Sequence, residues 1–339
     1  NCAMFPRIVK IFSIIFTLSL LLMGCDRGER YYTHYGFAQG GEYKVTYSLD
    51  RDDSEKISTE ITKMLLDIDN SISGYNNNSI ITQIANAQKG ERIKVDSIFL
   101  DLWQKSEQIY NQSDALFDPS ASPLFDLWGF GFKSGIEVTK EAVDSVMGFV
   151  GMDKFTLSEE NGSYFISKSD SRSSLNFNAI AQGYSCDCIA DILDKYGSQN
   201  YLVDIGEIVC KGLSSKGLPW KIGVDKPIDG NQNPGEQMQS IIEVTDCAVV
   251  TSGNYRKFYI KDGKKYSHTI NPKIGYPVDH NLLSATVVAE SGAIADAYAT
   301  WFMVLGLEGT KSVLDSLDGI QVLLIYGDND DMKVYSTIK

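Results

Sequence analysis

The chain has 339 residues, 43% hydrophobic and 22% charged, which suits one large folded domain or two moderate ones and excludes a disordered chain. Its formal net charge of −13 excludes an extended nucleic-acid surface, which needs an excess of Lys and Arg. A single bound nucleotide remains compatible, because a divalent cation can balance its phosphates.

At the N-terminus, Arg7 and Lys10 precede an apolar run over residues 11–23, with Met4 as a plausible start. The run is short of the roughly 20 residues that span a bilayer and fits a signal-peptide core. It ends Leu21-Leu22-Met23-Gly24-Cys25, the pattern of a bacterial lipobox. That pattern predicts a lipoprotein signal peptide over residues 1–24, cleavage before Cys25, and lipidation of the Cys25 thiol. Residues 25–35 then form a lipidated tether to the bacterial membrane, on its periplasmic face. Asp26 follows the cysteine directly and points to retention at the inner membrane.

Residues 36–49 alternate after their glycines, with Tyr43, Val45 and Tyr47 on one side, and predict a first strand. Residues 54–69 place Ile57, Ile61, Met64, Leu65 and Ile68 on one helical face, and residues 71–75 leave it as a loop. Ser79 caps a short helix to residue 86, and Asp96 caps another over 97–111. Residues 115–131 scatter Phe117, Phe125, Trp128 and Phe130 among Gly and Pro. Such a loop either walls a flat aromatic ligand or forms a satellite hydrophobic cluster. Thr139 caps a helix over 140–150, and strands are predicted near 155–157, 164–167 and 173–177. Residues 178–183 form a small-residue turn into a helix over 184–195, which Gly197 ends before a buried strand at 201–205. A strand, a tight turn and a helix start gather free N–H groups at one point, which suits a phosphate or serves as a plain packing unit.

Strands follow at 208–213, 220–224 and 240–250, then a hairpin pairing 256–260 with 265–270 across Asp262-Gly263. A strand at 283–289, helices at 291–305 and 310–317, and strands at 320–326 and 332–336 complete the chain. Without strict β-α alternation, this order predicts an α+β fold of mixed, largely antiparallel sheets flanked by helices.

Asp296 and Thr300 are four residues apart on one helix face, among small neighbours such as Ala293, Ala297 and Ala299. A carboxylate and a hydroxyl so placed suit a hard divalent cation such as Mg2+; the alternative is a helix-terminal acid beside a back-bonding threonine. The segment 251–256 puts two hydroxyls and a Gly between strands, and His268 sits at a strand end before a Pro/Gly turn. Cys186, Cys188, Cys210 and Cys247 show no metal or redox spacing and read as buried small hydrophobes.

Nine stretches occur in family order: GFAQGGEYKVTY (36–47), SGYNNNSIITQIA (73–85), LFDPSASPLFDLWGFG (116–131), LNFNAIAQGYSCDCIADIL (175–193), NYLVDIGE (200–207), PWKIGVDKP (219–227), AVVTSGNYRKFY (248–259), YSHTINPKIGYPV (266–278) and ADAYATWFMVLG (295–306). Together with the lipobox they resemble the bacterial flavin transferase lipoproteins, FAD:protein FMN transferase, also called the ApbE or thiamine-biosynthesis lipoprotein family. The resemblance implies a single large domain over residues 36–339 with two subdomains. It implies that FAD is split at its pyrophosphate with Mg2+, that FMN passes to a threonine hydroxyl of a target protein, and that AMP leaves. The implied partners are flavoprotein subunits of membrane redox complexes, such as the sodium-pumping quinone reductase or its ferredoxin-linked relative. An Mg2+-dependent FAD pyrophosphatase and a non-catalytic FAD-binding lipoprotein are the alternatives.

By position, the resemblance assigns the metal to the carbonyl of Ala179 with Asp296 and Thr300. It assigns the FAD pocket to Gln39, Tyr75, Leu116, Phe117, Asp118, Asn176, Gln182 and Ile270. His268 is placed near the transferred phosphate as the base, with Asp296 as its rival. The chain departs from the family's usual residues at Gln39, Asn176, Asn178 and Gln182, so the turn at 178–183 carries less charge.

Overall fold

The structure is a computed structural model that describes residues 30–131, 137–229, 235–261, 263–328 and 331–338. The signal segment, Cys25 with the first tether residues, and Asp262 of the expected hairpin lie outside the described residues. Among the described residues no helix is long and apolar enough to cross a membrane.

The expected first strand is a hairpin, β1 (Arg30–Ala38) and β2 (Gly41–Leu49). Gln39 and Gly40 both take positive φ, 53° and 83°, which is the turn that matches the twist of two tightly joined strands. Then come α1 (Ser54–Ile72), α2 (Ile80–Asn86), β3 (Ile93–Val95) and α3 (Ser97–Gln112). Residues 115–131 are less irregular than expected: a single 3-10 turn (Pro119–Ala121) leads into α4 (Ser122–Leu127). Next are α5 (Lys140–Met147), β4 (Phe155–Glu160), β5 (Ser163–Lys168), α6 (Ala181–Lys195), β6 (Tyr201–Asp204) and β7 (Ile208–Lys211). The chain continues through β8 (Trp220–Asp225), β9 (Met238–Val244), β10 (Cys247–Gly253), β11 (Phe258–Lys261), β12 (Lys264–Ser267), β13 (Ile270–Asn271), β14 (Tyr276–Pro277) and β15 (Leu282–Ala289). It closes with α7 (Gly292–Leu314), β16 (Gln321–Asp328) and β17 (Asp331–Ser336).

The main sheet has eight strands in the order β1-β2-β6-β7-β10-β15-β16-β17, and each neighbouring pair is antiparallel. Smaller sheets pair β3-β5-β4, β8-β9, β11-β12 and β13-β14. This is the mixed α/β, largely antiparallel architecture that the element order predicts. Period-two alternation divides the main sheet between two cores. Ala248, Val250, Ala285, Val287, Val322 and Leu324 face the helices, beside Ile57, Ile61 and Phe302. Val249, Val288, Leu323 and Ile325 face the other way, under Trp220, Ile222, Val224, Ile242 and Val244 of the β8–β9 hairpin.

Local signals hold where a side chain caps a helix: Ser79, Asp96 and Thr139 each accept an N–H from the first turn they precede. Signals fail where packing intervenes. The strand expected over 240–250 is two strands in two sheets, broken at Thr245-Asp246, where Asp246 takes φ 52°. The strand expected over 173–177 is not formed, although Leu175 and Phe177 are buried; the Asn176 N–H bonds the Pro119 carbonyl instead of a neighbouring strand. The two C-terminal helices meet end to end at Gly306, which breaks α7 with φ 76° and ψ 179°. The His280 ring lies against Gly306, and its Nε2 bonds the Met303 carbonyl at 2.9 Å, capping the first segment.

The closest backbone approach that shapes the interior is between α6 and α7. A Cβ on Gly183 collides with the Gly292 carbonyl, and a Cβ on Gly292 collides with the Gly183 carbonyl. Both positions need glycine because backbone lies on each side, not a side chain that can yield. Gly183→Ala therefore costs about 3 kcal/mol of stability, an overpacking penalty without a rotamer to absorb it; urea unfolding against the parent chain measures it.

Candidate functional site

The two helices that touch at Gly183 and Gly292 cap each other. Asp187 on α6 accepts the Gly292 N–H at 2.6 Å, the Ala293 N–H at 3.0 Å and the Ser291 hydroxyl at 2.7 Å, which satisfies the first turn of α7. Asp296 on α7 returns the arrangement: its Oδ2 accepts the Gly183 N–H at 3.0 Å, and the Gln182 N–H also bonds its carboxylate. The Gly183 and Gln182 N–H groups at this helix start are thus held by a carboxylate, as the packing-unit reading of this turn has it.

This capping has a second effect. The Gly183 N–H would otherwise bond the Ala179 carbonyl one turn back, as the Tyr184 N–H bonds Ile180. With that donor diverted, the Ala179 carbonyl takes no hydrogen bond from the described residues. The Thr300 hydroxyl likewise has no partner among the described residues, whereas Thr310 on the same helix back-bonds Gly306 at 2.8 Å. The alternative of a back-bonding threonine at 300 is therefore not what forms.

Ala179, Asp296 and Thr300 all line one cavity of about 300 Å³. A carbonyl, a carboxylate and a hydroxyl form a set of hard oxygen donors, which fits a divalent cation of the Mg2+ type that keeps waters on its remaining positions. The described residues hold no group of three or more His, Cys, Asp or Glu side chains arranged for a metal, so a site here depends on the backbone carbonyl and the hydroxyl.

Tyr75, Leu116, Phe117, Asp118, Asn176, Gln182, His268 and Ile270 line the same cavity. Tyr75 is 79% exposed and stands at its rim. Asp118 caps the turn at Pro119–Ala121, accepting the Ser120 N–H and hydroxyl at 2.8 and 2.6 Å, and burial pushes its carboxyl up to about 6. Asn176 closes a local turn through the Asn178 N–H at 2.8 Å, and the Gln182 amide bonds the Ile205 carbonyl at 3.2 Å. Gln39 is not on the cavity wall: it sits in the β1–β2 turn, and its amide donates to the Ser185 hydroxyl on α6. Of the aromatic segment, Phe125 and Phe130 line the cavity. Trp128 does not; it is buried in a third cluster, donates to the Gly275 carbonyl at 2.8 Å and stacks on Tyr266.

His268 Nδ1 lies 3.1 Å from the Lys257 carbonyl, which can only accept, so the proton sits on Nδ1 and Nε2 is left with its lone pair. Burial lowers the pKa of the ring, which keeps it neutral and able to take a proton.

Glu207 and Lys257, to which sequence reasoning gave no role, line the cavity too, as do Thr251 and Arg256 of the segment 251–256. Burial, then the charge of Asp296, raises the Glu207 carboxyl well above the usual range, against an N–H from Thr251 and the charge of Arg256. Arg256 pairs with Asp225 at 2.8 Å. The segment 251–256 was visible as two hydroxyls and a glycine; that it shares a cavity with Glu207, from the turn between β6 and β7, and with His268 and Asp296 is something no local pattern reports.

A sequence model described as the ApbE family matches residues 40–324. A Vibrio cholerae protein named FAD:protein FMN transferase is 31% identical over 94% of this chain and 94% of its own length. The solved flavin transferase ApbE from Vibrio cholerae superposes with a TM-score of 0.79 at 31% identity, covering 91% of this chain and 97% of that one. The apo flavinyl transferase ApbE from Pseudomonas stutzeri gives 0.80 at 28% identity, covering 91% and 95%.

Burial, with Asp187 adding, pushes the Asp296 carboxyl from its ordinary 3.8 up to about 7, against the N–H groups of Gly183 and Gln182. Its value is higher folded than unfolded, so the folded chain binds the extra proton, and this group's contribution to stability falls as pH rises from about 4 to about 7. The metal-free protein is expected to lose melting temperature across that window relative to Asp296→Asn, and Mg2+ to restore it at neutral pH. Thermal melts by circular dichroism at stepped pH, with and without chelator, check both.

Proposed function

The chain belongs to the ApbE family, and from that premise we propose that it is an enzyme that transfers FMN from FAD to a protein, with a threonine hydroxyl as acceptor and AMP as the released product. The observation that carries this is one cavity in which a hard oxygen donor set, a neutral histidine and two cationic side chains meet. The Ala179 carbonyl, Asp296 and Thr300 would hold Mg2+, which when bound would supply Lewis acidity and charge neutralisation for a pyrophosphate. Arg256 and Lys257 offer positive charge to the phosphate oxygens. His268 Nε2 takes the proton of the acceptor hydroxyl as that oxygen bonds the phosphorus of the FMN half, and the bridging oxygen leaves with AMP. Asp296 is the weaker candidate for base, because its carboxylate already accepts the Gly183 N–H. Phe125 and Phe130 line the cavity where the flat isoalloxazine would pack, and Tyr75 stands exposed at its rim.

The pattern at residues 21–25 supports a lipid anchor on Cys25 at the periplasmic face of a bacterial membrane. Flavoprotein subunits of membrane redox complexes are the matching class of acceptor, since enzyme and target would share that surface.

Incubation of the full chain with FAD, Mg2+ and such a subunit is expected to yield a covalently fluorescent target and equimolar AMP, read by gel fluorescence and chromatography. AMP and free FMN beside an unlabelled target would make the protein a pyrophosphatase; bound FAD without AMP would make it a flavin carrier. Asp296→Ala is expected to abolish Mg2+-dependent turnover. His268→Ala is expected to slow transfer about a hundredfold while FAD affinity changes little, which single-turnover kinetics beside a binding titration resolves.

A further inference from the structure

Cys210 on β7 and Cys247 on β10 are direct cross-strand partners in the main sheet. Residues paired this way in antiparallel strands have Cα atoms about 4.5–5.5 Å apart and side chains on one face. Disulfides need Cα separations of about 4.4–6.8 Å, and the register meets that part of the geometric demand. Both side chains enter the same apolar cluster under the β8–β9 hairpin. Both are free thiols and hydrogen-bond each other; that bond holds the Cys210 thiol up and the Cys247 thiol down. Cys186 and Cys188 differ: Cys186 is buried on α6 and donates to the Glu207 carbonyl, while Cys188 bonds Tyr184. As isolated small hydrophobes the four cysteines would be equivalent, and pairing singles out these two.

We propose that Cys210 and Cys247 form a dithiol–disulfide site that is closed by exchange with a disulfide donor. Cys210 is 2% exposed, whereas Cys247 is half-buried and lines a shallow depression beside Glu243, Thr245 and Gln321, so the donor enters at Cys247. The Cys247 thiolate attacks one donor sulfur, forming a mixed disulfide and releasing the first donor thiol. The Cys210 thiol then loses its proton and attacks the Cys247 sulfur, expelling the second donor thiol. Two protein thiols are oxidised and one donor disulfide is reduced to two thiols. The bond ties β7 to β10, whose far ends deliver Glu207 and Thr251 to the cavity wall. It therefore clamps the strand pair under the site without touching the groups assigned to chemistry, and it holds whether or not the chain transfers FMN.

The test uses the full chain, equilibrated in glutathione buffers from fully reduced to fully oxidised, alkylated, digested without reductant and mapped by mass spectrometry. The expected product is a Cys210–Cys247 cross-linked peptide that rises with the oxidised fraction, preceded at short times by glutathione on Cys247. Alkylation of both thiols throughout the range overturns the site, as does pairing of either one with Cys186 or Cys188. Glutathione appearing first on Cys210 overturns the order of entry. The mapping reads the unmutated protein, so no variant has to fold for the outcome to count.

Discussion

Reciprocal capping across a glycine–glycine contact is the constraint on which the rest of this structure turns. Two helix N-termini, each carrying unsatisfied N–H groups and the positive end of a dipole, lie within reach of each other's carboxylates. Asp187 serves α7 and Asp296 serves α6. Each such pairing is worth about 0.3–1 kcal/mol at a surface and up to about 2 kcal/mol when partly buried. The exchange is possible only because Gly183 and Gly292 let the backbones meet. It aims Asp296 into the cavity, and by diverting the Gly183 N–H it leaves the Ala179 carbonyl without a helical donor. One packing contact thus places a carboxylate and exposes a carbonyl at the same spot.

The electrostatics of the cavity follow from that placement. Asp118, Glu207 and Asp296 face it, and burial raises all three. An acidic wall is an unfavourable host for a pyrophosphate unless protons or a divalent cation intervene. The cationic residues alone do not reverse the balance, because Arg256 is already paired with Asp225. An anion entering this cavity therefore needs protons on these carboxyls or a cation beside it. The charge-poor turn at 178–183 matters less than its sequence suggests, since what that turn offers is a backbone oxygen.

The aromatic segment shows how one stretch divides between packing and function. Trp128 is spent on the third cluster, fixed by Gly275 and Tyr266, while Phe125 and Phe130 are turned to the cavity. The satellite cluster is what forms: Phe125 and Phe130 pack against it as well as lining the cavity. No periodicity could separate Trp128 from these two, because α4 is short and the faces are set by β12 and the turn after β13.

Taken by itself, the sequence determined whatever depends on neighbours along the chain. Ser79, Asp96 and Thr139 cap helices because the cap reaches only a few residues ahead. Asp296 and Thr300 share a face because helical pitch puts them there, and ordered motifs announced the family without any contact being known. Tertiary structure alone decided the rest. It split the expected strand over 240–250 between two sheets, left 173–177 unpaired in any strand ladder, and gave the helix-start N–H groups at 182–183 to Asp296. It also set Glu207 facing Asp296 and Cys210 opposite Cys247. The physical reason is the same in each case: these outcomes depend on strand register and on which backbones touch, and both are settled by residues tens to more than a hundred positions apart.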